Sequence, residues 1–133
     1  MHKIFFKTAF LLGALAVLLG AFAAHSLKGS ISDYAVAIFE TAVRYQFYHV
    51  FALLITSFLY RDFPIKFTRW AGILFVTGII LFSGSLYILT YIKGAVIPGY
   101  DWVGAVTPIG GAAFILGWIF LFVAVSSKKN KLN

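Results

Sequence analysis

Apolar residues run in four long stretches along this chain, and most of the charge collects between and beyond them. The stretches are about Ile4–Ala24, Glu40–Tyr60, Phe67–Ile92 and Pro108–Val125. About 20 predominantly apolar residues cross a ~30 Å hydrocarbon core as an α-helix. The pattern therefore predicts an all-α membrane protein, a bundle of four transmembrane helices in a single domain over residues 1–133. The second stretch ends a longer helix, about Ser32–Tyr60, with Ser32 as its N-cap ahead of Asp33. At 1.5 Å per residue that helix is roughly 40 Å long, so its first two turns are expected among the headgroups. The fourth helix is predicted to start at Pro108 with Thr107 as N-cap, because proline suits the first helical position. Lys93–Val106 is then a loop that places Tyr100 and Trp102 at the membrane interface.

Composition agrees with this pattern. Of 133 residues 62% are hydrophobic and only 11% charged, where a soluble domain carries about twice that charge. The absence of cysteine excludes disulfides, thiolate metal sites, iron–sulfur clusters and cysteine nucleophiles. No H-E-x-x-H, P-loop or dinucleotide fingerprint occurs. A net charge of +7 could suggest nucleic acid, but the basic residues are distributed as a topology signal. Lys3, Lys7, Arg61, Lys66, Arg69, Lys128, Lys129 and Lys131 fall on one side, against Lys28, Arg44 and Lys93 on the other. The positive-inside rule then puts both termini in the cytoplasm of a bacterial inner membrane. Lys128–Lys131 reads as a stop-transfer anchor, with a partner or anionic-lipid site as the alternative. Lys3, Lys7 and Ala21-Phe22-Ala23 imitate a cleavable signal peptide, yet the segment is expected to stay as the first span.

Small residues mark the expected contact stripes. Ala9, Gly13, Ala16, Gly20 and Ala24 recur at steps of three and four on the first span, and Gly110, Ala113, Gly117 and Ala124 do much the same on the fourth. Such stripes let backbones approach closely where lipid offers no hydrophobic gain. They suit packing within the bundle, and alternatively a contact with another subunit.

Four phrases stand in order: Gly20-Ala-Phe-Ala-Ala-His25, Glu40-Thr-Ala-Val-Arg-Tyr-Gln-Phe-Tyr-His49, Leu81-Phe-Ser-Gly-Ser-Leu-Tyr87, and Thr107-Pro-Ile-Gly-Gly111 with Gly117-Trp118. Together they resemble the YwdK/YgdD-like family of small bacterial membrane proteins, domain of unknown function 423, with eukaryotic transmembrane protein 256 a distant relative. The first phrase departs from the family in carrying Ala23 where glycine is usual, which loosens that turn and leaves His25 in place. The resemblance implies a four-helix inner-membrane protein and brings no established activity.

The polar side chains of these phrases are the candidate site: His49, Glu40, Arg44, Tyr45, Gln46, His25, Ser83 and Ser85. By the helical rise His49 lies about 16 Å above Tyr60, near mid-membrane, and Glu40 about 30 Å above it, with Arg44 between. Ser83 and Ser85 lie about 24 and 27 Å above Phe67. With His25 and Thr107 they form one polar layer in the outer half. Glu40 and Arg44 read as an i,i+4 ion pair, and Tyr45 and His49 as a hydrogen-bonded pair. Helix stabilisation accounts for both pairs; a solute-binding or proton-handling site is the functional alternative. Bis-histidine haem is disfavoured because His25 and His49 differ by roughly 14 Å in depth. A Ser–His dyad of Ser83 or Ser85 with His49 is disfavoured by an offset of about 8 Å or more, and back-bonding of each serine to its own helix is expected instead.

No cofactor, metal or enzymatic activity is expected on this reading. The leading expectation is a structural or accessory membrane protein whose partners are the lipid bilayer and another copy or a larger membrane complex. Proton-coupled or small-solute transport through the polar layer is the alternative.

Overall fold

The computed structural model describes residues 1–100 and 102–127, and every regular element among them is helical. Helix α1 spans Lys3–Phe22 and continues through a π-helical turn, Ala23–Leu27; α2 spans Asp33–Asp62. Helix α3 (Lys66–Gly78), a second π segment (Ile79–Ser83) and α4 (Gly84–Gly94) form one continuous rod, and α5 spans Val103–Ser126. Three of the rods are long and apolar enough to cross a membrane: Lys3–Leu27, Lys66–Gly94 and Val103–Ser126. Helix α2 is the longest, with 30 residues, but its polar string and the Arg61–Asp62 pair dilute its hydropathy. The expected anchor Lys128–Lys131 lies outside the described residues.

The rods alternate in direction. The His2 N–H donates to the Ser57 carbonyl at 3.0 Å, and the Ser57 hydroxyl donates to the His2 carbonyl at 2.9 Å. The start of α1 is thereby tied to the end of α2. At the same end Phe67, opening α3, meets Phe120 of α5 edge-on at 5.5 Å. Helix α1 packs on α2, α2 on the α3–α4 rod, and that rod on α5; α1 and α5 do not form a packed pair.

Helix ends follow local chemistry, with one correction. The Ser32 hydroxyl accepts from the Ala35 N–H at 3.3 Å, as expected of an N-cap. Helix α5, however, begins at Val103 and runs through Pro108. Its opening is held by Val103 N–H on the Tyr100 carbonyl (3.1 Å) and Ala105 N–H on the Trp102 carbonyl (2.9 Å). Pro108 costs only the bond to the carbonyl four residues earlier, close to the helix start where proline is best tolerated. Thr107 therefore caps nothing, and the loop before α5 is short.

The small-residue stripes pack within the chain. Gly13 faces Val50 and Gly20 faces Val43, while Ala9 and Ala16 are fully covered. The stripe then ends on Ala23, which is buried, while the expected Ala24 is exposed. On α5 the buried set is Gly110, Ala113, Gly117 and Ala124. Gly117 lies beneath the Phe75 ring and Gly78 beneath the Phe114 ring, so each helix lends the other a socket.

His2 lies just outside the spans and caps α1. Its Nδ1 accepts from the Phe5 N–H at 3.4 Å, and its ring stacks on Phe5 at 4.0 Å and meets Tyr60 edge-on at 4.8 Å. Burial, helped by the Arg69 guanidinium and the terminal amine, holds the imidazole below the ordinary histidine value of 6.5. Above that value both folded and unfolded chains carry a neutral ring, and His2 adds no pH dependence. As pH falls through it, the unfolded chain takes up a proton that the folded chain resists, so stability declines. Thermal unfolding in detergent should therefore move to lower temperature between pH 7 and 5, and less so in His2→Asn, which can cap without titrating. Identical profiles for the two proteins would exclude this contribution.

Candidate functional site

The eight predicted polar residues separate into two groups. Gln46, His49, Ser83 and Ser85 are buried, whereas Glu40, Arg44, Tyr45 and His25 are exposed. Helix geometry causes the split: Gln46 and His49 point toward the neighbouring rods, while Glu40 and Arg44 share the opposite face of α2.

Gln46 is the hub of the buried group. It is 1% exposed, and its single amide joins three helical rods. The side-chain N–H donates to the Leu12 carbonyl of α1 at 2.9 Å, and its carbonyl oxygen accepts from the Tyr87 hydroxyl of α4 at 2.7 Å. The Leu12 carbonyl thus gains a bond beyond its helix, and no group of the amide is wasted. The Tyr87 ring also lies 4.9 Å from Phe39. Tyr87 was not among the expected residues, although it stands in the third phrase, one turn after Ser83.

The serines serve two different neighbours. Ser83 donates to the Ala42 carbonyl of α2 at 2.8 Å, not to its own helix as expected. Ser85, pointing the other way, bonds the Phe82 carbonyl at 2.9 Å and shares a 2.8 Å hydrogen bond with Thr107 of α5. The intervening π segment makes both contacts possible, because its backbone bonds reach from Gly84 N–H to the Ile79 carbonyl. There Gly110 of α5 comes so close that an added Cβ would stand 2.3 Å from the Phe82 backbone nitrogen. Only a glycine permits that approach.

His49 sits one layer below. Its Nδ1 meets the Tyr45 carbonyl at 2.8 Å; a carbonyl can only accept, so Nδ1 carries the proton. The expected bond to the Tyr45 phenol is replaced by this backbone bond, with the two rings 6.3 Å apart. Its ring lies flat on Phe114, 3.4 Å between centroids and 5° from parallel, with Phe75 and Trp118 at 5.7 and 6.4 Å. The environment is aromatic and tightly filled. Neither Ser83 nor Ser85 bonds to His49, and His25 stands apart at the end of α1.

The expected Glu40–Arg44 ion pair does not form. Among the described residues the ion pair within 4 Å is Arg61–Asp62, at 3.3 Å and on the surface. Every buried side-chain nitrogen and oxygen among the described residues has a hydrogen-bond partner. Several apolar grooves lie on the flanks of the bundle. One of about 690 Å³ lies between α4 and the start of α5, floored by Ser85, and another of about 340 Å³ lies between Phe22, Phe39 and Tyr87.

Comparison with known proteins identifies the chain. Residues 19–111 match the family model described as "Protein of unknown function (DUF423)". The chain belongs to this family. It is 47% identical to the UPF0382 membrane protein SAB0533 of Staphylococcus aureus, over 89% of this chain and 94% of the relative. It is 43% identical to the UPF0382 membrane protein YwdK of Bacillus subtilis, over 89% and 95%. It is 40% identical to SH2409 of Staphylococcus haemolyticus, over 89% and 94%. No solved structure matches. The resemblance read from the four phrases is thus confirmed, and this DUF423 chain is a helical membrane protein. Those phrases meet in space: Gly20 on Val43, Ser83 on Ala42, Tyr87 on Gln46, Ser85 on Thr107 and Gly110 on Phe82. Their polar atoms hold helix to helix.

Proposed function

We propose that this chain is a structural or accessory protein of the bacterial inner membrane, with both termini in the cytoplasm, and that it is not an enzyme. One observation carries the reading: Gln46, Ser83, Ser85 and His49 Nδ1 bond between and within helices, and every fully buried side-chain nitrogen and oxygen among the described residues has a hydrogen-bond partner. Ser83 gives its proton to the Ala42 carbonyl and Ser85 bonds Phe82 and Thr107, and neither bonds to His49, so no nucleophile–base pair is formed. Transport draws no comparable support, because His49 is covered by Phe114 and only 6% exposed. The cytoplasmic placement of the termini rests on the excess of Lys and Arg at the end shared by His2, Arg61 and Arg69.

His49→Ala is expected to lose about 2–3 kcal/mol of stability through the missing aromatic stack and the cavity it leaves. Glu40→Ala, exposed and unpaired, should stay within about 0.5 kcal/mol of wild type. Proton or solute flux into liposomes should remain at background for all three proteins. A flux present in wild type and absent in folded His49→Ala would overturn the structural reading.

A further inference from the structure

One polar atom of the layer has no partner within the chain. The Nδ1 proton of His49 is held by the Tyr45 carbonyl, so Nε2 presents a bare lone pair. Among the described residues nothing donates to that lone pair. Yet every fully enclosed side-chain nitrogen and oxygen among them has a partner. Nε2 is therefore not fully enclosed, although the residue as a whole is only 6% exposed. The small part of the ring that can be reached from outside includes its one unsatisfied atom.

The neighbours of His49 locate the way in. Beside it on α2, Gln46, Ala52 and Leu53 are buried, as are the Phe75 and Phe114 rings packed against it. Tyr45 and Trp118 are the rings in contact with it that come to the surface, 38% and 44% exposed. Their centroids lie 6.3 and 6.4 Å from the imidazole, so the opening lies between them, where α2 meets α5. The Tyr45 hydroxyl and the Trp118 indole N–H have no hydrogen-bond partner among the described residues either.

Depth restricts what can answer these atoms. His49 lies about 16 Å along α2 from Tyr60, near the middle of a ~30 Å hydrocarbon core. Phospholipid headgroups at either surface therefore stand roughly 15 Å away. The donor has to be carried by a molecule that dissolves in the hydrocarbon. It has to bring an O–H, because a carbonyl or ether oxygen would set one lone pair against another. A flat ring suits the opening, since both of its lips are aromatic and such rings pair with centroids about 4.5–7 Å apart. A quinol meets all three demands, being apolar, planar and a donor. The corresponding quinone meets only the first two.

We infer that the opening at His49 is a quinol-binding site, in which one ring hydroxyl donates to Nε2 and the ring lies between the Tyr45 and Trp118 side chains. The inference goes beyond the structural role and does not depend on it.

The probe is duroquinol, kept reduced by dithionite under nitrogen, with duroquinone as its oxidised counterpart. Binding to the full chain in detergent micelles is measured by equilibrium dialysis, with empty micelles as background. Duroquinol should bind above that background and at least roughly ten-fold more tightly than duroquinone, the size of one hydrogen bond made or left unpaired. His49→Phe keeps a ring and loses the acceptor. It should weaken duroquinol binding at least roughly ten-fold and erase the difference between the two forms. A second measurement needs no altered site: magnetic resonance of isotope-labelled imidazole nitrogens in the wild-type chain, assigned by elimination with His2→Asn and His25→Asn. The unprotonated His49 nitrogen should shift on adding duroquinol and stay in place with duroquinone. Binding no greater than to empty micelles, equal affinity for the two forms, or a His49 resonance that duroquinol leaves unmoved overturns the proposal. The stability and flux of His49→Ala judge the structural role separately, so a chain that binds no quinol leaves that role standing.

Discussion

Gly110→Ala is expected to be the most damaging single methyl group in the molecule. Its Cβ would stand 2.3 Å from the Phe82 nitrogen and 2.8 Å from the Phe82 Cα, and backbone atoms cannot swing aside as a side-chain tip can. Either α5 moves away from the π segment or the segment rewinds, and both break the Ser85–Thr107 bond next to it. The cost should be about 3 kcal/mol or more, at the upper end of overpacking effects. The neighbouring glycine is the control. A Cβ on Gly111 meets nothing closer than Phe82 Cδ2 at 3.8 Å. Gly111→Ala should therefore be neutral or gain up to about 1 kcal/mol from the better helix former. Thermal unfolding of both variants in one detergent decides it: equal stability would show that the close approach is not needed.

Gln46→Leu should also be clearly destabilising. Leucine fills the space, so the loss isolates the two hydrogen bonds that leave the Tyr87 hydroxyl and the Leu12 carbonyl without their side-chain partner. Single bonds between membrane helices average only about 0.6 kcal/mol. Here one amide makes two, and the abandoned hydroxyl is half-buried, so a loss of about 1–3 kcal/mol is expected. Tyr87→Phe removes the stranded donor. The double variant should thus be less damaged than the sum of the singles, with a coupling of about 1 kcal/mol. Strict additivity would sink the idea that Gln46 and Tyr87 act as a unit.

Much of this architecture can be read from one dimension. Long apolar runs report rod number, Ser32 before Asp33 reports a cap, and Gly110, Ala113, Gly117 and Ala124 report a contact face, because each depends on neighbours along one helix. The misread features depend on neighbours across helices. Thr107 has the chemistry of a cap, but Ser85 lies within reach and the helix is free to begin earlier. Glu40 and Arg44 have ideal spacing for a pair, yet spacing says nothing about what else lies beyond that face. Ser83 looked like a residue bonding its own turn. A π segment redirects it to Ala42, and no periodicity announces a π segment. Tyr87 and His2 were passed over because a lone tyrosine in an apolar run and a histidine at a chain start carry no pattern of their own.

The row of helices, each resting on the one before it and α5 never closing against α1, bears on how the protein is made. Most of the packing joins rods that follow one another in the chain, and the His49 ring, which stacks on Phe114, is the part that waits for α5. As each hairpin leaves the insertion machinery its binding face is already present in the membrane, and contacts of short sequence separation form without a slow search. Assembly can then proceed in the order of synthesis, with the last helix locking in place when Gly110 finds Phe82.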